Sequence, residues 1–174
     1  DNEVNASESS EASMKALNAT MVDGVMVTSY VRLPDDAKTA MSIVAAADYR
    51  LSYKEGYESP YTTSQWKEIV QKHFTEQPKF LIVKKTKKSE REVDLKPLVY
   101  QFFVEGDENA PQFHISVSTG SVDNIKPELV LSSVYEKCGL VYEDAAIQIH
   151  REEVYARDEN EALIPLCDMG EIIH

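Results

Sequence analysis

The sequence predicts an α+β fold in which helices pack on an antiparallel, ferredoxin-like sheet. Residues 47–155 contain segments in which apolar and polar residues alternate with the period of a half-buried strand. Two amphipathic segments separate these strands, so the order is βαβ, a hairpin region and then αβ. This order approximates the split βαβ of ferredoxin-like folds, with one extra strand.

Residues 1–46 are predicted to be the remainder of a β-α-β-α unit that is truncated at its N-terminus. Its elements are, in order, a strand end at residues 1–5, a helix capped by Ser7 or Ser10 and ended by Gly24, a strand from Val25 to Leu33, and a helix opened by Pro34 and Asp35. The chain begins at Asp1 without Met, which we interpret as a fragment of a longer protein.

The ferredoxin-like domain is predicted to span residues 47–155, and residues 156–174 form a C-terminal tail without clear periodicity. The domain begins with a strand at Tyr49–Tyr53, a helix from Thr62 to Phe74 and a central strand at Phe80–Val83. Two alternating strands follow, the first with Leu98, Tyr100, Phe102 and Val104 and the second with Phe113, Ile115 and Val117. A helix from Pro127 to Cys138, ended by Gly139, and a last strand at Ala146–Tyr155 complete the domain. Thr62 and Gln65 have the spacing of a capping box.

The aromatic residues have two interpretations. Trp66 shares a helical stripe with Ile69, Val70 and Phe74, which favours core packing over a stacking platform. Two further aromatic sets alternate along strands: Tyr49 with Tyr53, and Tyr100 with Phe102 and Phe113. They are either core residues or base-stacking residues of the kind that RNA-recognition sheets use. We favour the core in both cases.

Composition restricts the class of protein. No apolar run approaches the roughly 20 residues of a transmembrane helix. Cys138 and Cys167 are unclustered and the four histidines are scattered, which predicts no metal site and suits a reducing, cytoplasmic compartment. A net charge of −12 argues against nonspecific nucleic-acid binding by the whole surface.

One segment differs in charge from the rest of the chain. Residues 84–97 hold six positive and three negative side chains, so this segment is +3 while the remainder is −15. A basic hairpin in an acidic protein indicates a local contact surface for a phosphate-rich or acidic partner. The alternative is a solvated hairpin that lysine keeps soluble.

The candidate binding residues follow from this segment and are Lys84, Lys85, Lys87, Lys88, Asp94, Lys96 and Arg151. The lysines would serve as point charges for phosphate. Asp94 is either a turn cap or solvated strand residue, or it orients Lys96 or Arg151 through a charge-assisted pair. The sequence contains no recognisable pattern of a nucleophile with its general base, so no catalytic residue is predicted.

Several short motifs occur in order along the chain: EVN near the start, MKALN at residues 14–18, Gly24-Val25, AMSIVAAADY at 40–49, TKKSEREVDLKP at 86–97, IKPELVL at 125–131 and IHREEVY at 149–155. Together they resemble the radical-SAM-linked protein family, a bacterial domain of unknown function. Family members occur alone or fused behind a B12-binding-like radical SAM protein. The first segment of the family domain is missing here, so sites in that part cannot be assigned.

The resemblance implies an accessory, substrate-recruiting module of a radical SAM enzyme, in cis or in trans. The chain lacks CxxxCxxC, so an iron–sulfur cluster and S-adenosylmethionine would belong to a partner or an upstream domain. The first alternative is an RNA-binding module for tRNA or rRNA that uses the Lys84–Lys96 hairpin. The second is part of an enzyme whose active site lies in the missing N-terminal half.

Overall fold

The computed structural model describes residues 9–85, 90–120 and 124–174. In chain order its helices are α1 (Ser10–Asn18), α2 (Ala40–Ile43), α3 (Thr63–Val70) and α4 (Pro127–Lys137), with a π-helical segment at Gln71–Thr75 and 3₁₀ turns at Lys96–Leu98, Asp144–Ala146 and Leu166–Met169. Its strands are β1 (Val44–Tyr53), β2 (Leu81–Lys85), β3 (Glu90–Asp94), β4 (Val99–Asp107), β5 (Ala110–Ser118), β6 (Ile147–Arg157) and β7 (Leu163–Pro165).

The chain divides into two compact units. The larger unit holds Ala45–Val154, and the smaller unit holds the residues up to Val44 together with Tyr155–His174. The division of the sequence at residues 46 and 155 into separate domains stays a prediction. No helix among the described residues has both the length and the apolar character needed to cross a bilayer.

The main sheet has the strand order β4-β5-β1-β6-β7. β1 runs antiparallel to β5, from Ala46 opposite Ser118 to Ser52 opposite Gln112, and β4 runs antiparallel to β5. The four strands β4-β5-β1-β6 have the order of a split βαβ arrangement. The predicted α+β fold is therefore confirmed, and the extra strand pair β2–β3 forms a sheet of its own.

The core of the larger unit lies between one face of the sheet and two helices. The capping box of Thr62 and Gln65 starts α3, which packs on β4 and β5, while α4 packs on β5. Trp66 is fully buried there, as the helical stripe predicts. Of the residues predicted for the core, Phe102 and Phe113 belong to the buried cluster, and the partly buried Tyr49 and Tyr53 pack against it.

Two strand predictions are wrong in detail. Tyr100 is 38% exposed rather than in phase with Phe102, because the register shifts between Val99 and Gln101 and the irregularity reverses the alternation. The Phe80–Val83 run is not a central strand, since β2 pairs only with β3. Ile82 is buried in β2, while Val83 is 57% exposed.

In the smaller unit, helix α1 is present as predicted, but its N-cap is Ser9 rather than Ser7 or Ser10, and the Ser9 hydroxyl accepts a hydrogen bond from the Ala12 amide. The strand predicted from Val25 to Leu33 is wrong, because these residues contribute only an isolated bridge between Arg32 and Glu171. The side chain of Asn18 bonds both the N–H and the C=O of Val27, and so occupies the groups that a neighbouring strand would use.

The helix boundaries in this unit also differ from prediction. α1 ends at Asn18, and Gly24, at φ 86°, lies in a later turn instead of ending the helix. The second helix does not begin at Pro34 but is a single turn from Ala40 to Ile43. The predicted strand end at residues 1–5 lies outside the described residues.

Candidate functional site

The basic segment does form a hairpin in its described part. β2 and β3 are antiparallel, with Leu81 opposite Asp94 and Lys85 opposite Glu90. Lys84 and Lys85 occupy the last two positions of β2. Lys87 and Lys88 lie outside the described residues. The hairpin is therefore a two-stranded sheet separate from the main one, with the lysine-rich sequence towards its end.

Asp94 fastens the base of this hairpin. Its Oδ1 accepts hydrogen bonds from the backbone amides of Phe80, at 2.8 Å, and Lys96, at 3.0 Å. These two bonds hold the pKa of the Asp94 carboxyl below its ordinary value of 3.8. The carboxylate thus acts as a turn cap, one of the roles considered from the sequence. Arg151, exposed on β6, forms no ion pair with any described residue.

Lys96 also contributes to the hairpin base. Its ammonium donates hydrogen bonds to the carbonyls of Phe74, at 2.5 Å, and Thr75, at 3.3 Å, and lies 4.0 Å from the centre of the Phe74 ring. A cation at the carbonyl end of a helix is favourable because the helix dipole is negative there. Through these hydrogen bonds, both Asp94 and Lys96 hold the base of the hairpin against the core.

Replacement of Asp94 by alanine should destabilise the protein at neutral pH and change its acid sensitivity. The folded-state pKa of this carboxyl is lowered, so its contribution is present above the unfolded value of about 4 and is lost as the pH falls below it. The free energy of unfolding, measured by urea denaturation between about pH 7 and pH 3, should show a smaller acid loss in Asp94→Ala than in the wild type.

Asp94→Asn is the informative companion, because its amide oxygen can still accept both backbone bonds, as a neutral and therefore weaker acceptor, but cannot titrate. It should keep part of the stability at neutral pH and share the reduced acid dependence of the alanine variant. Parallel pH curves for the wild type and both variants would contradict the assigned role of Asp94.

The structure reveals a second polar cluster that sequence reasoning missed. Strand alternation places eight side chains on the sheet face opposite the core, and we call this set the polar sheet face: Asp48, Arg50, Gln101, Phe103, Glu105, His114, Ser116 and Glu152. Six of them, all but Arg50 and Glu105, line a shallow cavity of about 70 Å³. The sequence pattern that could have indicated this face is the alternation of polar His114 and Ser116 with apolar Phe113, Ile115 and Val117.

His114 is the centre of the polar sheet face. Its ring stacks on Phe103 at a centroid distance of 4.8 Å, and its side chain is only 17% exposed. Nδ1 lies 3.6 Å from Glu152, whose other oxygen is 2.9 Å from Nε of Arg50. Nε2 lies 3.0 Å from Glu105, but the two groups are not aligned as a hydrogen bond, so this contact is an ion pair only when the ring is protonated.

His114 is thus an acid–base group that lies beside the carboxylates of Glu105 and Glu152. Histidine is a common general base, but a nucleophile must lie within hydrogen-bond reach of it. No serine or cysteine among the described residues is hydrogen-bonded to His114. Burial raises the pKa of the Cys138 thiol, which makes that thiol less reactive. The described residues also contain no group of three side chains able to hold a metal ion.

Residues 1–127 match a family described as uncharacterized protein conserved in bacteria, DUF2344. The chain belongs to the DUF2344 family. No curated protein and no solved structure matches it.

The DUF2344 match confirms the bacterial domain of uncharacterised function that the sequence motifs indicated. The match includes β2, β3 and most of the polar sheet face, and it ends at the first residue of α4. The link of this DUF2344 chain to radical SAM proteins, and the missing first segment, stay predictions.

Proposed function

We propose that the chain is a noncatalytic accessory module that recruits a substrate or partner to a radical SAM enzyme in the bacterial cytoplasm. The β2–β3 hairpin is its contact surface. The iron–sulfur cluster and S-adenosylmethionine belong to the radical SAM protein, in cis or in trans. The motif resemblance supports this role.

The proposal rests on the hydrogen bonds that hold the base of the hairpin against the core. Asp94 and Lys96 tie its base to Phe74 and Phe80, and Leu95 at the base is buried. The basic sequence continues beyond that base, from Lys84 to Lys88. A hairpin whose base is held by these bonds loses little conformational entropy on binding, which suits it to an extended anionic partner.

RNA is the second candidate partner, because lysine ammonium groups pair with backbone phosphates without reading sequence. In that case the module would hold a tRNA or rRNA substrate for the enzyme. An active site in a segment that precedes residue 1 is the remaining alternative, and it would place the chemistry outside this chain.

RNA binding through the hairpin should fall steeply with salt. If about four lysines each meet a phosphate, the log–log slope of affinity against salt should be roughly −3 on single-stranded RNA. The double variant Lys87→Ala/Lys88→Ala should flatten this slope by about 1.4 while leaving the urea denaturation curve unchanged. The measurement is a fluorescence-anisotropy titration with tRNA and with an unstructured RNA over a range of salt concentrations.

A matched control is Lys67→Ala/Lys126→Ala, which removes the same charge from exposed positions outside the hairpin. It should keep the wild-type slope. Equal slopes for the wild type and the hairpin variant, or no binding at low salt, would remove RNA as the partner. Co-purification with the radical SAM protein of the same genome then tests the accessory role. Wild-type protein that fails to co-purify would argue against it.

A further inference from the structure

The larger unit carries a groove beside the loop of residues 57–61 that neither the hairpin nor the polar sheet face includes. It consists of two adjoining cavities of about 230 and 500 Å³, which share Tyr57, Glu58 and Pro60 as walls. We call it the tyrosine groove. We propose that the tyrosine groove binds a short basic peptide segment of a partner protein, with an arginine or lysine side chain in the smaller cavity.

The smaller cavity has aromatic walls and a carboxylate rim. Tyr53, Tyr57 and Tyr135 line it, together with Glu58 and Glu143. The hydroxyls of Tyr53 and Tyr135 are hydrogen-bonded to each other. Burial and this neighbour raise the pKa of Tyr135 far above the physiological range, so the phenol stays neutral. Neutral aromatic faces beside carboxylates are the chemistry that binds an ammonium or guanidinium group.

The loop that forms the groove is held rigid by the core. The indole N–H of Trp66 donates to the hydroxyl of Ser59, at 2.9 Å, and that hydroxyl donates to the carbonyl of Tyr61, at 2.6 Å. The Tyr61 ring packs edge-on against Trp66 at 5.3 Å. Tyr57 nevertheless remains 44% exposed. An exposed aromatic side chain on a fixed loop is preorganised for binding.

Charge determines which ligand fits. Glu58 and Glu143 give the smaller cavity a negative rim, and the nearby ammonium of Lys54 is directed to the carbonyl of Ala145, at 2.9 Å. A phosphate would be repelled there, whereas a cationic side chain would be attracted, both by the rim and by the net charge of −12.

The larger cavity suits the backbone of the same peptide. Beside Tyr57, Pro60 and Tyr61, its walls include the polar side chains of Gln65 and Asn109. Gln65 uses its carbonyl oxygen in the capping box with Thr62, which leaves its NH₂ group as a donor. A cationic side chain in the aromatic cavity and peptide carbonyls in the polar cavity together define one extended ligand.

The test uses fluorescein-labelled hexa-arginine and fluorescence anisotropy at low salt. Glu58→Gln/Glu143→Gln should raise the Kd about tenfold, and Tyr57→Ala about fivefold. The control Glu68→Gln/Glu92→Gln makes the same change in net charge at exposed positions outside the groove and should raise the Kd less than about twofold. Hexa-glutamate with the same label should not bind.

Equal weakening by the two glutamate pairs would show that only long-range charge attracts the peptide, and would overturn the proposal. So would the absence of hexa-arginine binding. If the groove double variant fails to fold, the Tyr57→Ala variant decides, since an exposed ring contributes little to the core. The hairpin variant Lys87→Ala/Lys88→Ala should bind hexa-arginine as well as the wild type, so this result and that of the RNA titration are independent.

Discussion

Replacing Trp66 by alanine should lower the free energy of unfolding by about 3–5 kcal/mol, the range for truncating a large buried aromatic residue. The indole is fully buried and contacts three aromatic rings, those of Tyr61, Phe113 and Tyr135, at centroid distances of 5.0–5.3 Å. The substitution leaves a cavity where α3, α4 and β5 meet. Urea denaturation followed by circular dichroism gives the measurement.

Two companion variants separate packing from hydrogen bonding at this position. Trp66→Phe keeps an aromatic ring but removes the donor to Ser59, and Ser59→Ala removes the acceptor for the indole together with the donor to the Tyr61 carbonyl. Ser59→Ala should cost roughly 1–3 kcal/mol, the range for leaving a buried donor without its partner. A loss below about 1 kcal/mol for Trp66→Ala would contradict the central position of this residue in the core.

Replacing Gly106 by alanine should be the most damaging single-methyl change among the glycines described here. Its φ of +102° is disfavoured for residues with a side chain, and an added Cβ would lie 2.4 Å from the backbone carbonyl oxygen of Ala110. Backbone strain and this clash together should cost roughly 2 kcal/mol or more, measured by urea denaturation.

The turn at Gly106 also positions α3. The Thr63 hydroxyl donates to the carbonyl of Asp107, the Thr63 amide donates to the carbonyl of Glu108, and the Ser64 hydroxyl donates to the Glu108 carboxylate. A displaced turn should therefore disturb the start of α3 and the adjoining tyrosine groove. Weaker binding of hexa-arginine by Gly106→Ala is the expected secondary effect.

Gly56 is the matched control for this substitution. It has a φ of +86°, yet an added Cβ would meet nothing within 4 Å. Gly56→Ala should therefore cost only the conformational penalty, about 1–2 kcal/mol. Equal losses at the two glycines would show that the contact with Ala110 relaxes easily and that strain alone sets the cost.

The periodic elements of the larger unit could be predicted because each follows from local chemistry. The capping box of Thr62 and Gln65, the stripe containing Trp66, and Gly139 after α4 all act within a few residues of the backbone that they shape. The strand at Val25–Leu33 could not be rejected in this way. Within it, the Asn18 side chain takes both backbone hydrogen-bonding groups of Val27, a contact that the periodicity of the segment does not indicate.

The candidate sites show the same difference. The charge of the Lys84–Lys96 hairpin could be read from composition, whereas the engagement of Asp94 and Lys96 with its base depends on the position of Phe74 and Phe80. The polar sheet face went unpredicted because His114, Glu105 and Glu152 lie on three different strands. Only strand register brings them together.

By itself the sequence determined the α+β class, the helices of the larger unit, the buried indole and the acidic body with one basic segment. Each of these depends on periodicity, capping or charge, which are properties of neighbouring residues. Tertiary structure alone decided that the β2–β3 hairpin forms a sheet apart from the main one, and it alone decided the outward position of Tyr100, the His114 cluster and the tyrosine groove. These depend on which distant backbone groups satisfy one another's hydrogen bonds, and residues far apart in sequence carry no local signal of that choice.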